Sequence, residues 1–473
     1  MAEFFTGLPR FAFRQKDLPN VAPAPARKTH KELSSDSLFQ LIRSRVEAPP
    51  DTRAGHPEIS LGDALMSAFA MFSLKDPSLL AFDERRRDPN DNFRTIYGID
   101  NVPCDSQMRT ILDPVDPDDL RPLFQDVFRR LQRGKALEAF VYLDGHYLLS
   151  LDGTTDFSSS KIHCDSCLEK HHRGGGVTDS HQLLGATLVH PDLKEVIPLA
   201  PEPIINEDGH TKNDCERNAT RRWLKRFRQE HPHLPVIIVE DALSANAPHL
   251  DDLREARAHY IIGVKPGDPA FLFEHLRAND EAGRTQIDTE VESATGVLHH
   301  FRWHIGVPLN ESHADHLVNV LEYGEIHPTR IVKKVERAGK VQYFSWITDF
   351  VPTPDNVDTI MRGGRSRWKI ENETFNTLKN QGYNLEHNYG HGLQNLSVVL
   401  MILMLLVFLV DQTQQLCCPL FQAPWKKRGH NKRSLWEKMR NFFDSFVFAS
   451  MQELYEAIIN GFARQQLVQL DSS

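Results

Sequence analysis

The sequence predicts an α/β protein: a mixed sheet core, interrupted by a β-rich insertion and preceded by a helical N-terminal domain. Three observations lead there. Apolar residues recur at helical spacing up to residue 138. Between 139 and 265, strand-like runs come first as neighbours and then alternate with helices. Between Lys265 and Pro354, short β-type runs are separated by turns such as Ala338-Gly339.

Residues 1–28, with Pro9, Pro19, Pro23 and Pro25 among scattered Arg and Lys, read as a flexible arm. Residues 29–138 read as the helical domain. Helices are expected over Thr29–Val46, over Leu61–Phe72 with Ser60 and Asp63 marking its start, over Ser106–Leu112, and over Leu120–Leu137. Whether this domain binds DNA or only supports the fold stays open. In the first core segment, 139–265, strands are expected at Ala139–Leu143, Tyr147–Leu151, Val236–Val239 and Tyr260–Val264. His181–His190 and Glu195–Leu199 read as a hairpin, Asn213–Glu230 and Asn246–Ala258 as helices. The insertion, 266–355, holds β-type runs at His299–Ile305, His316–Glu322, Arg330–Val335 and Val341–Thr348. The second core segment, 356–415, carries an amphipathic helix, Arg367–Lys379, and an apolar run, Leu396–Val410. That run is too short for a bilayer span and reads as a buried core helix. Residues 416–473 hold a basic loop, Lys426–Arg433, and closing helices.

Composition bounds the function. Hydrophobic residues at 40% and charged residues at 25% are those of a globular protein, with no secretory signal visible and a cytoplasmic location expected. Six cysteines in a chain of 473 residues do not form a disulfide scaffold. A net charge of −9 argues mildly against nucleic acid, but acidic and basic residues are bunched, and local patches decide DNA contact.

Three carboxylates are candidate metal ligands. Asp152 follows the apolar run Tyr147–Leu151 and precedes Gly153-Thr154, which leaves room for an ion; a plain Asp-Gly turn is the alternative, and Asp144 and Asp156 are its local competitors. Asp241 ends Val236–Glu240, where α/β sheets place ligands. Glu240, on the opposite face, is its competitor, and Asn246 is expected to cap the next helix. Glu371 lies four residues after Arg367 on the polar side of its helix, with Trp368, Phe375, Leu378 and Leu385 on the apolar side. Glu373 lies about 200° further round. Three gathered carboxylates repel one another unless cations neutralise them, and hard oxygen ligands suit two Mg²⁺ or Mn²⁺ ions. Such ions serve phosphodiester cleavage.

Leu151-Asp152-Gly153-Thr154, Val239-Glu240-Asp241-Ala242 and Arg367-Trp368-Lys369-Ile370-Glu371 resemble, in order and spacing, the three signatures of insertion-sequence DDE transposases. The nearest branch is the cut-and-paste group with a β-strand insertion before its glutamate. The resemblance spans about residues 140–410 and implies a ribonuclease-H-like core, with which the strand pattern is compatible without excluding other α/β folds. It also implies hydrolysis at the element's ends and strand transfer into target DNA. The partners would be double-stranded DNA, both terminal repeats and target, and a second copy of the chain on paired ends. Arg367 keeps the family's place for a phosphate contact. The family's lysine seven residues after the glutamate falls at eight here, Lys379, with Leu378 at seven. A nuclease that cuts without joining, and a catalytically silent DNA-binding derivative, remain the alternatives.

Outside the three signatures, Cys164-x2-Cys167 with His172 and with His163 or His181 has ligand types for zinc, against two free thiols in a loop. Arg217, Arg221, Arg222, Lys225, Arg226 and Arg228 recur along one helix and favour phosphate contact over a merely solvated face. Lys426, Lys427 and Arg428 are either a DNA contact or a solubilising loop. His387 and His391 are candidates for ordering the end of the site, or plain surface histidines.

Overall fold

A computed structural model describes residues 14–16 and 31–461, apart from 52, 54, 56, 89, 90, 210, 267–269, 329, 333, 334, 338 and 430. The expected arm lies outside the described residues except for Arg14–Lys16, a short strand, β1. The helical segment follows as α1 (Ser35–Arg45), α2 (Leu61–Leu74), α3 (Leu79–Arg86), α4 (Asn92–Tyr97), α5 (Asp105–Leu112) and α6 (Arg121–Arg133). Then come β2 (Tyr147–Ser159), β3 (Leu168–His171), β4 (Val177–Val189), β5 (Ile197–Pro198), β6 (Glu202–Ile204), α7 (Lys212–Glu230), β7 (Val236–Glu240), α8 (Ala247–Glu255) and β8 (His259–Val264). The next stretch holds α9 (Ala270–Glu281), β9 (Gln286–Glu292), β10 (Leu298–Asn310), β11 (His313–Ile326), β12 (Arg330–Val332), β13 (Val335–Arg337), β14 (Val341–Thr348) and α10 (Val357–Arg365). A π-helical turn, Ile370–Phe375, leads into α11 (Asn376–Asn380), and α12 (Leu396–Cys417), α13 (Pro419–Lys427), α14 (Lys432–Ser445) and α15 (Met451–Asn460) close the chain.

These elements fall into two compact units. The first comprises Met1–Ala26, Tyr142–Leu149 and His233–Arg367. Its strands pair in the order β1, β9, β10, β11, β14, β8, β7, and the opening residues of β2 lie beside β7, with the Tyr147 amide donating to the Pro235 carbonyl at 2.9 Å. β7 and β8 are parallel, Ile238 opposite Tyr260, as a βαβ crossover through α8 requires. Asn246 caps α8, its side chain accepting from the His249 amide at 3.1 Å. β14 is antiparallel to β8, Ser345 opposite Val264, so the β-rich stretch extends the core sheet directly. The expected strand at Arg330–Val335 instead belongs to a small separate hairpin of β12 and β13.

The second unit comprises Arg27–Val141, Ser150–Pro232 and Trp368–Ser473. Here β4 pairs antiparallel with β3, β5 and β6, and β2 from Ser150 onward is its other neighbour. The helical N-terminal segment is not a body of its own. Every residue of α2 is buried, and α12 is one of the elements packed against it. α12 is longer than the apolar run suggested because Asp411–Gln415 continue the helix. At 22 residues it is long and apolar enough to cross a membrane, yet all of it but Leu416 lies buried among its own unit's elements. Its polar side chains have partners: the Gln412 side-chain oxygen accepts from the Val196 amide at 3.1 Å, and that of Gln414 from Tyr455 at 2.7 Å.

One expected strand is absent. Ala136–Phe140 forms a short 3-10 turn, since Ala136, Leu137 and Phe140 are the residues it buries, a spacing that suits a helical turn rather than a strand's alternation. After it, Asp144 (φ 50°) and Gly145 (φ 79°) make the left-handed turn into β2.

Candidate active site

β2 continues to Ser159, so Asp152-Gly153 lies inside a strand and is not a turn. Asp144-Gly145 has that role. Two glycines let other elements approach Asp152. A Cβ on Gly153 would sit 2.7 Å from Oε1 of Glu216 on α7, so the strand admits that carboxylate only because position 153 lacks a side chain. On β4, a Cβ on Gly185 would meet the Phe375 ring at 2.8 Å, and the Asp152 carbonyl at 3.6 Å. Gly185 is therefore the seat of Phe375, and Phe375 docks the helix bearing Glu371 onto the sheet bearing Asp152.

The result is an open cleft of about 410 Å³ lined by Asp152, Gly153, Thr154, Thr155, Glu371, Asn372, Phe375, Asn376 and Lys379. Glu373 does not line it, and Asp156 is elsewhere: buried, its carboxylate accepts from the His181 amide at 3.1 Å and from the Ser397 hydroxyl. The oxygen donors facing the cleft, two of them carboxylates, fit hard divalent cations.

Asp241 stands in the other unit, at the carboxyl end of β7. It is exposed, and its Oδ1 caps the following 3-10 turn by accepting from the Leu243 amide at 2.9 Å. Glu240 is buried and held at 2.6 Å by His249 Nε2, which gives it a structural partner and leaves Asp241 as the accessible acid of the pair.

The glutamate helix differs from expectation in three ways. Arg367 precedes the helical residues, in the turn after α10. Trp368 is 42% exposed, because the buried stripe runs through Ile370, Thr374, Phe375 and Leu378, and Trp368 lies off it. Lys369 goes inward instead, donating to the Leu193 carbonyl at 2.6 Å, and burial pushes its pKa down. Finally, the turn that contains Glu371 is π-helical, which adds a residue to it. In a regular helix the eighth residue after Glu371 lies about 80° past two turns, the seventh about 20° short of them. The added residue brings the eighth, Lys379, round to the cleft, while Leu378 is fully buried. Lys379 is paired with Glu386 at 2.8 Å.

Among the basic candidates, α7 divides into two faces. Arg222 turns inward to Glu202 (2.5 Å), Asp208 and the Pro203 carbonyl, and Arg226 to Asp118 and Glu202. Glu202 is 1% exposed; its burial raises its carboxyl pKa, and Arg222, Arg121 and Arg226 oppose that. The expectation that Arg222 meets DNA is thus corrected: its fork neutralises a buried acid. Arg217, Arg221 and Lys225, four residues apart, form the exposed face. Lys426 and Lys427 end α13 and are not in a loop; both are exposed, Lys427 donating to the Ile459 carbonyl, and Arg428 is half-buried.

The zinc candidates also change. His163 and His172 are exposed, with His172 bonded to Thr178 Oγ1 at 3.0 Å. Cys164 and Cys167 meet His181 and His391 instead. His391 was hidden by its distance along the chain. Its sequence signal is the pair of glycines around it, Gly390 and Gly392. His387 is exposed and stacks edge-on against Tyr389.

Residues 200–409 match the family model described as transposase DDE domain. That stretch contains Asp241 and Glu371 and begins after Asp152. No curated protein matches the chain in sequence. Among solved structures the chain is similar to the piggyBac transposase in its synaptic complex with hairpin DNA, at 10% identity and a TM-score of 0.41, over 94% of this chain and 85% of that one. So loose a likeness fixes no function.

Proposed function

We infer, for a chain whose residues 200–409 match the transposase DDE domain family model, that it cuts phosphodiester bonds at the ends of an insertion sequence and joins those ends to target DNA. The observation that carries the reading is the cleft that Asp152, Glu371 and Lys379 line together. Asp152 and Glu371 are the metal-holding acids there, and Asp241 is the third required carboxylate, favoured over Glu240 by its exposure. Two Mg²⁺ or Mn²⁺ ions bound by such acids activate an attacking water or 3′-hydroxyl and stabilise the leaving oxygen.

The chain's own groups bind and orient. Lys379 exchanges its exposed partner Glu386 for a DNA phosphate, an exchange that costs little because surface pairs are weak. Arg367 offers a planar fork to a second phosphate. The exposed face of α7 starts beside the cleft, since Glu216 touches Gly153 and Arg217 is next in the chain; it supports the DNA backbone leading away. Lys426 and Arg428 are further backbone contacts. Action at two ends implies two copies of the chain on paired DNA, in the compartment that holds the DNA.

The test incubates the purified full chain with DNA carrying the element's terminal repeats and Mg²⁺ or Mn²⁺. Joined products are expected. Cut but unjoined ends would indicate a nuclease, and retarded, intact DNA a silent binder; either overturns the reading. Asp152→Asn, Asp241→Asn and Glu371→Gln should each retain DNA binding and lose cleavage, whereas Glu240→Gln should keep it.

A further inference from the structure

Away from the acidic cleft, four soft or borderline donors converge within the second unit: Cys164 and Cys167 from the connection between β2 and β3, His181 from β4, and His391 from the segment before α12. Their ligand atoms all lie within 4.8 Å of one another. Sγ of Cys164 and of Cys167 are 3.7 Å apart. His181 Nε2 is 3.4 Å from the first sulfur and 3.8 Å from the second, and His391 Nε2 is 3.4 Å from Cys167 Sγ. A tetrahedral zinc with Zn–S of about 2.3 Å and Zn–N of about 2.0 Å has edges of about 3.7 Å between sulfurs and about 3.5 Å between sulfur and nitrogen. The four separations given lie within about 0.3 Å of those edges. They are also too long for a disulfide, whose sulfurs lie about 2 Å apart.

The surroundings agree. Cys167, His181 and His391 are buried, and Nδ1 of His391 is a buried nitrogen with no hydrogen-bond partner. Phe157 places its ring edge-on to His391 at 5.7 Å, closing the apolar side. The histidine is held in place by its own loop. Gly392 takes φ 72° close to Asp113, whose carboxylate accepts from the amides of Leu393, Gln394 and Leu396. Any Cβ at 392 would strike that carboxylate, so the loop has one shape, and it aims His391 at the cysteines.

We propose that Cys164, Cys167, His181 and His391 bind one structural Zn²⁺. On binding, each thiol gives its proton to solvent and the two imidazoles ligate as neutral bases through Nε2. Two thiolates select a thiophilic ion over the Mg²⁺ or Mn²⁺ suited to the carboxylates of the cleft. The zinc links residues 224 apart in the chain. One end is the hairpin whose first strand carries Asp152, the other the chain that leaves the Glu371 helix. It is a staple across the scaffold of the cleft, and protein side chains fill all four of its coordination positions, so it takes no part in the chemistry. The proposal does not rest on transposase activity.

The test uses the full chain produced in zinc-supplemented medium. Elemental analysis should find one zinc per chain, and thiol titration should show two cysteines that react only after chelation. Replacement by Co²⁺ should give the visible bands of a tetrahedral, thiolate-ligated site. His391→Ala and Cys167→Ser should lose these features, while His163→Ala and His172→Ala keep them. If the His391 variant does not fold, the cobalt spectrum and thiol protection of the unaltered chain still decide. A zinc content near zero, freely reactive thiols without chelator, or a cobalt spectrum lacking thiolate bands would overturn the proposal.

Discussion

At the scale of single residues, the fold depends on charges that are buried and matched. Lys75 sits at the C-terminus of α2 in a left-handed conformation (φ 59°), its side chain fully buried, with Nζ 2.7 Å from Asp411 of α12. Tyr383 donates to the same carboxylate at 2.5 Å, and the ammonium stands over the rings of Tyr383 and Trp436. Burial lowers the Lys75 pKa even against the pull of Asp411. Asp411→Ala leaves that ammonium unpaired and should cost about 3–5 kcal/mol in urea unfolding. The double change Lys75→Met with Asp411→Leu should recover most of it. His231 offers a pH test. Burial, aided by Arg129, holds its pKa down at about 4, against 6.5 for the free side chain. A depressed histidine contributes stability that is complete above pH 6.5 and lost as pH falls towards 4. At pH 5 the linkage is about 2 kcal/mol. The loss of stability between pH 7 and pH 5 should therefore shrink by about that much in His231→Phe, whose ring suits the edge contact with Phe128.

At the scale of elements, what could be read from the sequence was what is periodic. α2, α6 and α7 stand close to their expected places, as do β7 and β8, because repeated burial on one face or on both writes itself into the spacing of apolar residues. β3 and β6 went unseen: they are three or four residues long and exist by pairing with β4, which no local pattern records. Asp152 and Asp241 were singled out as acids at the ends of apolar runs, and Glu371 as an acid on the polar side of an amphipathic helix. His391 was singled out, but not as a partner of the cysteines, since Cys167 lies 224 residues away in the chain. The π turn was invisible for a similar reason: it breaks the period on which helical reading depends, and it moved Trp368 outward and Lys379 to the cleft. That shift can be tested. Lys379→Ala should weaken DNA cleavage and leave stability within about 0.5 kcal/mol. Moving the lysine to the family's usual place, Leu378→Lys with Lys379→Ala, should not restore cleavage. It should instead destabilise by at least about 3 kcal/mol, because position 378 is wholly buried. Recovery of cleavage in that double variant would mean that the helix keeps its regular register.

At the scale of the whole molecule, the proposed function requires a chain of net charge −9 to hold a polyanion through a local surface. The two faces of α7 separate that duty from the duty of holding the fold. Arg217, Arg221 and Lys225 are exposed, whereas Arg222 is committed to Glu202 and Asp208. Each phosphate neutralised by a cation releases a counterion and adds about 0.9 to the slope of log affinity against log salt. Replacing Arg217, Arg221 and Lys225 together by Gln should reduce that slope by up to about 2.7 and leave the unfolding midpoint nearly unchanged. Arg222→Gln should do the reverse. It strips a charge partner from a carboxylate that is 1% exposed, so stability should fall by about 1–3 kcal/mol while the salt slope stays where it was. If instead Arg222→Gln lowers the slope and the triple variant does not, DNA is held by the inner face, and the ion pairs around Glu202 must open for binding. On the proposed reading the two faces of one cation-rich helix serve different ends, and the salt dependence tells them apart where sequence spacing does not.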